Sequence, residues 1–176
     1  MKHFSLPLTT ESLKNLNAGD EVLLSGVMYT ARDQAHLRLF NLLREKKPLP
    51  VDLRGQTIYY AGPTPAPLGR PIGAAGPTTS GRMDRFAPAL LAAGLRGMVG
   101  KGERKKEVVD AIREHGAVYF IAIGGAGAYL SKRITKCEVV AFDDLGPESV
   151  KRLEVKDFPA IVGVDPRGRS VFLRKS

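Results

Sequence analysis

Apolar positions run along this chain in two rhythms, and the switches between them predict its elements. EVLLSGVMYT, residues 21–30, is dense in β-branched and large apolar residues and predicts a strand. In ARDQAHLRLFNLLREKK the period changes, and Ala35, His36, Leu39, Phe40 and Leu43 recur at spacings of three and four, the mark of one helix face. Asp33 near its start suits the helix dipole, and Pro48 and Pro50 stop it. Upstream, LTTESLKNL predicts a short helix capped by Thr9 or Thr10, and NAGD at 17–20 a turn.

GQTIYYAG, 55–62, reads as a second strand. An irregular stretch follows, with five prolines and five glycines between 62 and 81. A loop this long is more often functional than idle, with a flexible linker as the other reading. Beyond 82, MDRFAPALLAAG predicts a helix with Pro88 at the first turn of its second part and Gly94 as its C-cap, LRGMVG a strand, ERKKEVVDAIREHG a helix closed by Gly116, and AVYFIAIG a buried strand. A glycine turn and helix over IGGAGAYLSKRI, a strand at CEVVAF, and the β-rich pieces KRLEVKDF, PAIVGVD and SVFLRK complete the pattern. Mixed βαβ units with extra strands predict an α/β domain, a mixed sheet flanked by helices, with residues 1–176 as one domain.

Composition narrows the class. Apolar residues make up 43% and charged residues 26%, a globular balance. No apolar run nears the roughly 20 residues of a membrane span. MKHFSLPLTTESL lacks the apolar centre of a secretory signal, so a cytoplasmic protein off the membrane is expected. The one cysteine, Cys137, excludes an internal disulfide and a self-contained zinc-thiolate or iron–sulfur site. A net charge of +9 favours acidic partners without choosing among them. Aromatic content of 7%, no Trp and no aromatic–basic interleaving weigh against nucleic acid.

Three cations sit where strands give way to helices. Arg32 in ARDQAH offers a planar fork suited to a carboxylate beside a helix start. His36, four residues on, is either a proton carrier or a satisfied core residue. GPTTSGRMD holds Thr78, Thr79 and Ser80, which serve equally as helix caps or as an acid–base and substrate-binding set, with Arg82 as a second fork. Lys101, between two glycines, lets the backbone approach an anion, although Lys101, Arg104, Lys105 and Lys106 also read as a solvated basic face. The set Arg32, Arg82 and Lys101 suits a small dianion.

At these residues the sequence resembles a known family. GVMYTARDQAH, YYAGPTPAP, GPTTSGRMD, VGKG and DLGPESVKRLEVKDFPAIVGVD, in order, look like the β subunit of two-subunit class I fumarate hydratase, the C-terminal half of its single-chain forms and the β subunit of L-tartrate dehydratase. The resemblance implies a swivelling β/β/α domain similar to the mobile domain of aconitase. It also implies reversible hydration of fumarate to L-malate. A four-iron four-sulfur cluster would be held by a cysteine-rich α subunit, in an α2β2-type assembly. By the same resemblance Arg32, Arg82 and Lys101 bind substrate carboxylates; Thr79, from the hydroxyl set read above, is expected to bind substrate with them. Thr78 would be the base, ranked above His36, which has an acid–base role in the tartrate branch. TTSGRMD and a chain short for the tartrate branch favour fumarate.

Overall fold

The computed structural model describes residues 1–123 and 127–172. Its elements in chain order are β1 (Lys2–Ser5), α1 (Thr10–Leu13), β2 (Glu21–Thr30), α2 (Asp33–Arg44), β3 (Thr57–Tyr59), α3 (Ala87–Ala92), β4 (Gly97–Gly100), α4 (Lys106–His115), β5 (Val118–Ala122), α5 (Gly127–Ser131), β6 (Ile134–Ala141) and β7 (Val150–Val164). Two 3-10 turns, Ser80–Met83 and Asp143–Glu148, lie between them.

β2, β3, β4 and β5 run parallel in that order. β7 runs antiparallel to both β5 and β2, which closes the sheet into a small barrel. β1 adds beside β2, and β6 beside the first half of β7. The predicted mixed α/β class matches this architecture; the barrel closure did not follow from the pattern.

The closure depends on β7 being one strand where the sequence reads as two. Its 15 residues pair with β2 from Lys151 to Ile161, while the other edge passes from β6 to β5. Pro159 interrupts no needed bond: it lacks an N–H, and its carbonyl accepts the Ile123 amide at 3.2 Å. The strand bends at a bulge of its own: between the pairs Leu24–Phe158 and Gly26–Val155, Lys156 and Asp157 of β7 stand opposite the single residue Ser25, Asp157 has a φ of +52°, and its N–H donates to Ser25 Oγ at 2.9 Å.

Side chains alternate across the strands and divide the core in two. Tyr59, Val99, Phe120 and Phe158 join one apolar cluster. Ile58, Met98 and Tyr119, their neighbours, join the other, against α2, α3 and α4. Each fully buried large apolar side chain contributes about 1.5–3 kcal/mol relative to exposure. α2 turns Ala35, His36 and Leu39 inward as its spacing predicts, and α4 ends at Gly116 in the left-handed region, φ +65°. Thr9 caps α1 with a reciprocal bond to Ser12.

Several local expectations differ. The first part of the helix expected over MDRFAPALLAAG is not α-helical, since a 3-10 turn over Ser80–Met83 precedes it, while its second part is α3, with Pro88 in the first turn as expected. β1 leaves no pattern in the sequence, because its four residues are mostly exposed and carry little alternation. Ser170 makes an isolated bridge to Val164 within the predicted strand SVFLRK; its residues 173–175, like residues 124–126 of the predicted glycine turn, lie outside the described residues. The Pro-rich loop is pinned rather than linker-like: Thr64 and Gly73–Ala74 bond each other, Ala75 N–H reaches the Gly127 carbonyl at 3.2 Å, and the Tyr59 hydroxyl bonds the Ala75 carbonyl.

Candidate active site

Parallel strands deliver their carboxyl ends to one side of a sheet, and ligands of α/β proteins gather there. β2 ends at Thr30 and Arg32 stands at the N-cap position of α2; β3 ends at Tyr59 and the chain runs on through Tyr60 to Gly62; β4 ends at Gly100, before Lys101. The segment 78–83 returns to these ends. Thr78 N–H donates to the Tyr60 carbonyl at 2.6 Å and Ser80 N–H to the Lys101 carbonyl at 2.9 Å, and Thr79 forms a parallel bridge with Lys101. Thr78, Thr79, Arg82 and Lys101 are therefore presented by two segments tied backbone to backbone.

Arg32 and Arg82 meet on one carboxylate. Arg82 Nη2 lies 2.9 Å from Asp33 Oδ2, and Arg32 Nη2 lies 4.0 Å from the same oxygen. The Arg82 contact is close without being aligned as a hydrogen bond, since Asp33 Oδ2 is buried with no hydrogen-bond partner. Arg32 Nε is likewise buried without an acceptor among the described residues. A buried guanidinium donor with no acceptor costs about 1–3 kcal/mol, which an anion bound beside it would recover. The Arg82 side chain is 53% exposed and Lys101 is exposed, so both face incoming solutes.

Gly62 lets Arg32 lie flat on the chain: a Cβ there would stand 2.9 Å from Arg32 Cδ and 3.0 Å from Nη1. α2 has no side-chain cap of its own, and Glu148, from the second 3-10 turn, accepts the Gln34 N–H at 3.3 Å. Arg38 grips Asp144 of that turn through two bonds of 2.8 and 2.5 Å.

His36 sits beneath the site rather than on it. Its ring is wholly buried, edge-on to Tyr60 at 5.3 Å between centroids. Nδ1–H donates to the Arg32 carbonyl at 2.8 Å, leaving Nε2 buried and unpartnered. Burial pushes its pKa from the ordinary 6.5 to about 4, so the ring is neutral at neutral pH.

The basic run after Lys101 is not one solvated face. Lys105 and Lys106 are exposed, but Arg104 is buried, its Nε 2.6 Å from Asp84 Oδ1. Nothing in the sequence separates Arg104 from its neighbours, because only the fold supplies the carboxylate that lets a guanidinium go inside. Asp33 was legible as a dipole partner but not as the anion shared by two arginines. Cys137 is half-buried on β6 and lines a groove of about 440 Å³ with Pro63, Ile72 and Pro147, and burial pushes its thiol up. Among the described residues no three His, Cys, Asp or Glu side chains group to hold a metal ion, and no helix is long and apolar enough to cross a membrane.

The chain is similar to known proteins over most of its length. It is 42% identical to the anaerobic class I fumarate hydratase of Escherichia coli over 85% of this chain and 28% of that protein. It is 38% identical to fumarate hydratase 2 of Leishmania major over 92% of this chain and 29% of that protein. Against a provisionally named L(+)-tartrate dehydratase subunit beta of Methanocaldococcus jannaschii the identity is 39%, over 94% of this chain and 88% of the subunit. The chain thus spans under a third of these fumarate hydratases and most of the tartrate dehydratase subunit, so its length does not argue against the tartrate branch. Residues 2–175 match the family described as Fumarase C-terminus, and the chain belongs to that family.

Proposed function

We propose that this chain is the β subunit of a two-subunit class I fumarate hydratase, catalysing reversible hydration of fumarate to L-malate as a swivelling domain that closes on a cysteine-rich α subunit. The carrying observation is the meeting of Arg32 and Arg82 on Asp33, next to the Thr79–Lys101 bridge. Three cations gathered near the carboxyl ends of β2 and β4 match the two carboxylates of a four-carbon diacid better than they match any neutral ligand.

Arg32 and Arg82 would hold the carboxylates, displacing the Asp33 contact, and Thr79 would sit beside them. Thr78 is half-buried and, deprotonated, would take the proton from the carbon next to a carboxylate as the C–OH bond of malate breaks on the neighbouring carbon; the departing hydroxide would then take that proton from Thr78 and leave as water, and hydration would run the same steps in reverse. A hydroxyl is a weak base unless a cation favours its deprotonated form, and Lys101 would supply that charge as well as offsetting the negative charge that builds on the carboxylate. Buried and neutral, His36 fits a supporting role under Arg32 better than a proton-transfer role.

A four-iron four-sulfur cluster takes three or more thiolates, and this chain has one. Its residues do not fit the cluster, and the reading assigns it to the α subunit. The test mixes this chain with a cluster-loaded, cysteine-rich partner and follows loss of fumarate absorbance for each alone and for both. Turnover only in the mixture supports the proposal. Turnover by neither, or an Arg82→Ala variant as active as wild type, refutes it. The length match to the tartrate dehydratase subunit favours one second reading, a tartrate-type 2-hydroxydiacid, and the same mixture assayed with L-tartrate decides between them.

A further inference from the structure

Under the exposed cations lies a buried polar layer for which carboxylate binding alone gives no reason. The Arg104 side chain is 0% exposed and that of Asp84 2%. Asp84 accepts from Arg104 Nε at 2.6 Å and from Lys105 N–H at 3.0 Å. Arg104 Nη2 donates to the Tyr60 hydroxyl at 3.1 Å, and the guanidinium lies 4.8 Å from the Tyr119 ring centre. Burying such a pair carries a desolvation cost that well-packed apolar side chains avoid, so stability is a weak explanation for it.

Its connections point elsewhere. Asp84 ends the turn that carries Arg82, and Arg104 lies three residues past Lys101, so this pair ties the two cation-bearing segments together. A second tie runs parallel. The Tyr119 hydroxyl donates to the Gly102 carbonyl at 2.8 Å, so its one proton is committed, and the Ser80 hydroxyl donates to Tyr119 Oη at 2.8 Å. Tyr60 supplies a third: its hydroxyl takes Arg104 and its carbonyl takes the Thr78 N–H. Gly100 makes room, since a Cβ there would overlap Ser80 Oγ and stand 2.8 Å from Tyr60 Cδ2.

We infer that Arg104, Asp84, Tyr119 and Ser80 are positioning residues, which hold Thr78, Arg82 and Lys101 in register for one dicarboxylate without touching it. This rests on the dicarboxylate reading above and adds which side chains set its geometry. Tyr119 moves no proton in this role; burial pushes its hydroxyl up to about 12.

Tyr119→Phe removes one hydroxyl, keeps the ring and severs the Ser80–Gly102 tie. In the full chain, amides of residues 78–82 and Gly102 should exchange about tenfold faster while β2 and β7 keep their protection. In the assembly with the cysteine-rich partner, kcat/KM for the dicarboxylate should fall about ten- to a hundredfold at a temperature where the variant is folded, with the shape of the pH profile unchanged. Ser80→Ala should match it, and the double variant should be no worse than either single, since both cut one tie. Wild-type exchange at these amides, wild-type kcat/KM in Tyr119→Phe, or a lost limb of its pH profile overturns the inference. An inactive wild-type assembly instead overturns the dicarboxylate reading, and the inference falls with it.

Discussion

His36 makes the site's energetics measurable without any partner. The ring is wholly buried, with Nδ1–H on the Arg32 carbonyl, and burial lowers its pKa from 6.5 to about 4. In the unfolded chain the ring takes a proton as pH falls through about 6.5, whereas in the folded chain it refuses one until about 4. Protons therefore favour the unfolded chain in that window. The contribution is fully present above 6.5 and is lost as the pH falls toward 4. Between about pH 8 and about pH 5 the linkage amounts to about 2 kcal/mol, approaching about 3 kcal/mol below the folded value. For a chain of this size that is a fall in Tm of about 4–8 °C by pH 5. The assay is denaturant unfolding across this range for wild type and His36→Asn, which cannot titrate; carboxylates titrate alike in both, so the difference isolates His36. Parallel stability–pH curves for the two proteins would refute the reasoning, and would return His36 to the candidates for proton transfer.

Other expectations follow from the site's contacts. Thr78→Ala should lower turnover of the assembled enzyme by about a hundredfold or more while KM changes little, the pattern of a proton-transfer group; unchanged turnover moves the base elsewhere. Gly62→Ala places a methyl 2.9 Å from Arg32 Cδ and should displace that side chain, raising KM for the diacid about tenfold with Tm nearly kept, as read by steady-state kinetics and calorimetry. Gly100→Ala crowds Ser80 and Tyr60 and should destabilise the chain by about 1–3 kcal/mol in denaturant unfolding.

Much of this protein is written in local pattern. The 3.6-residue recurrence from Ala35 to Leu43 defines α2 and its buried face, the run from Glu21 to Thr30 defines β2, and Gly116 ends α4, because period, capping and left-handed glycine are properties of a few neighbouring residues. The ordered motifs around Arg32, Thr78, Arg82 and Lys101 also carry the family resemblance within the sequence itself. What local pattern lacks is any statement of which distant groups will meet. That β7 passes Pro159 unbroken and closes a barrel depends on having β2 on one edge and β6 then β5 on the other. That His36 is core, that Asp33 takes Arg82, and that Arg104 goes inside while Lys105 and Lys106 stay out depend on burial and on partners far along the chain. A charge or an imidazole reads the same in sequence wherever it ends up; the free energy of placing it is set by the solvent it loses and the group it gains, and tertiary packing alone decides both.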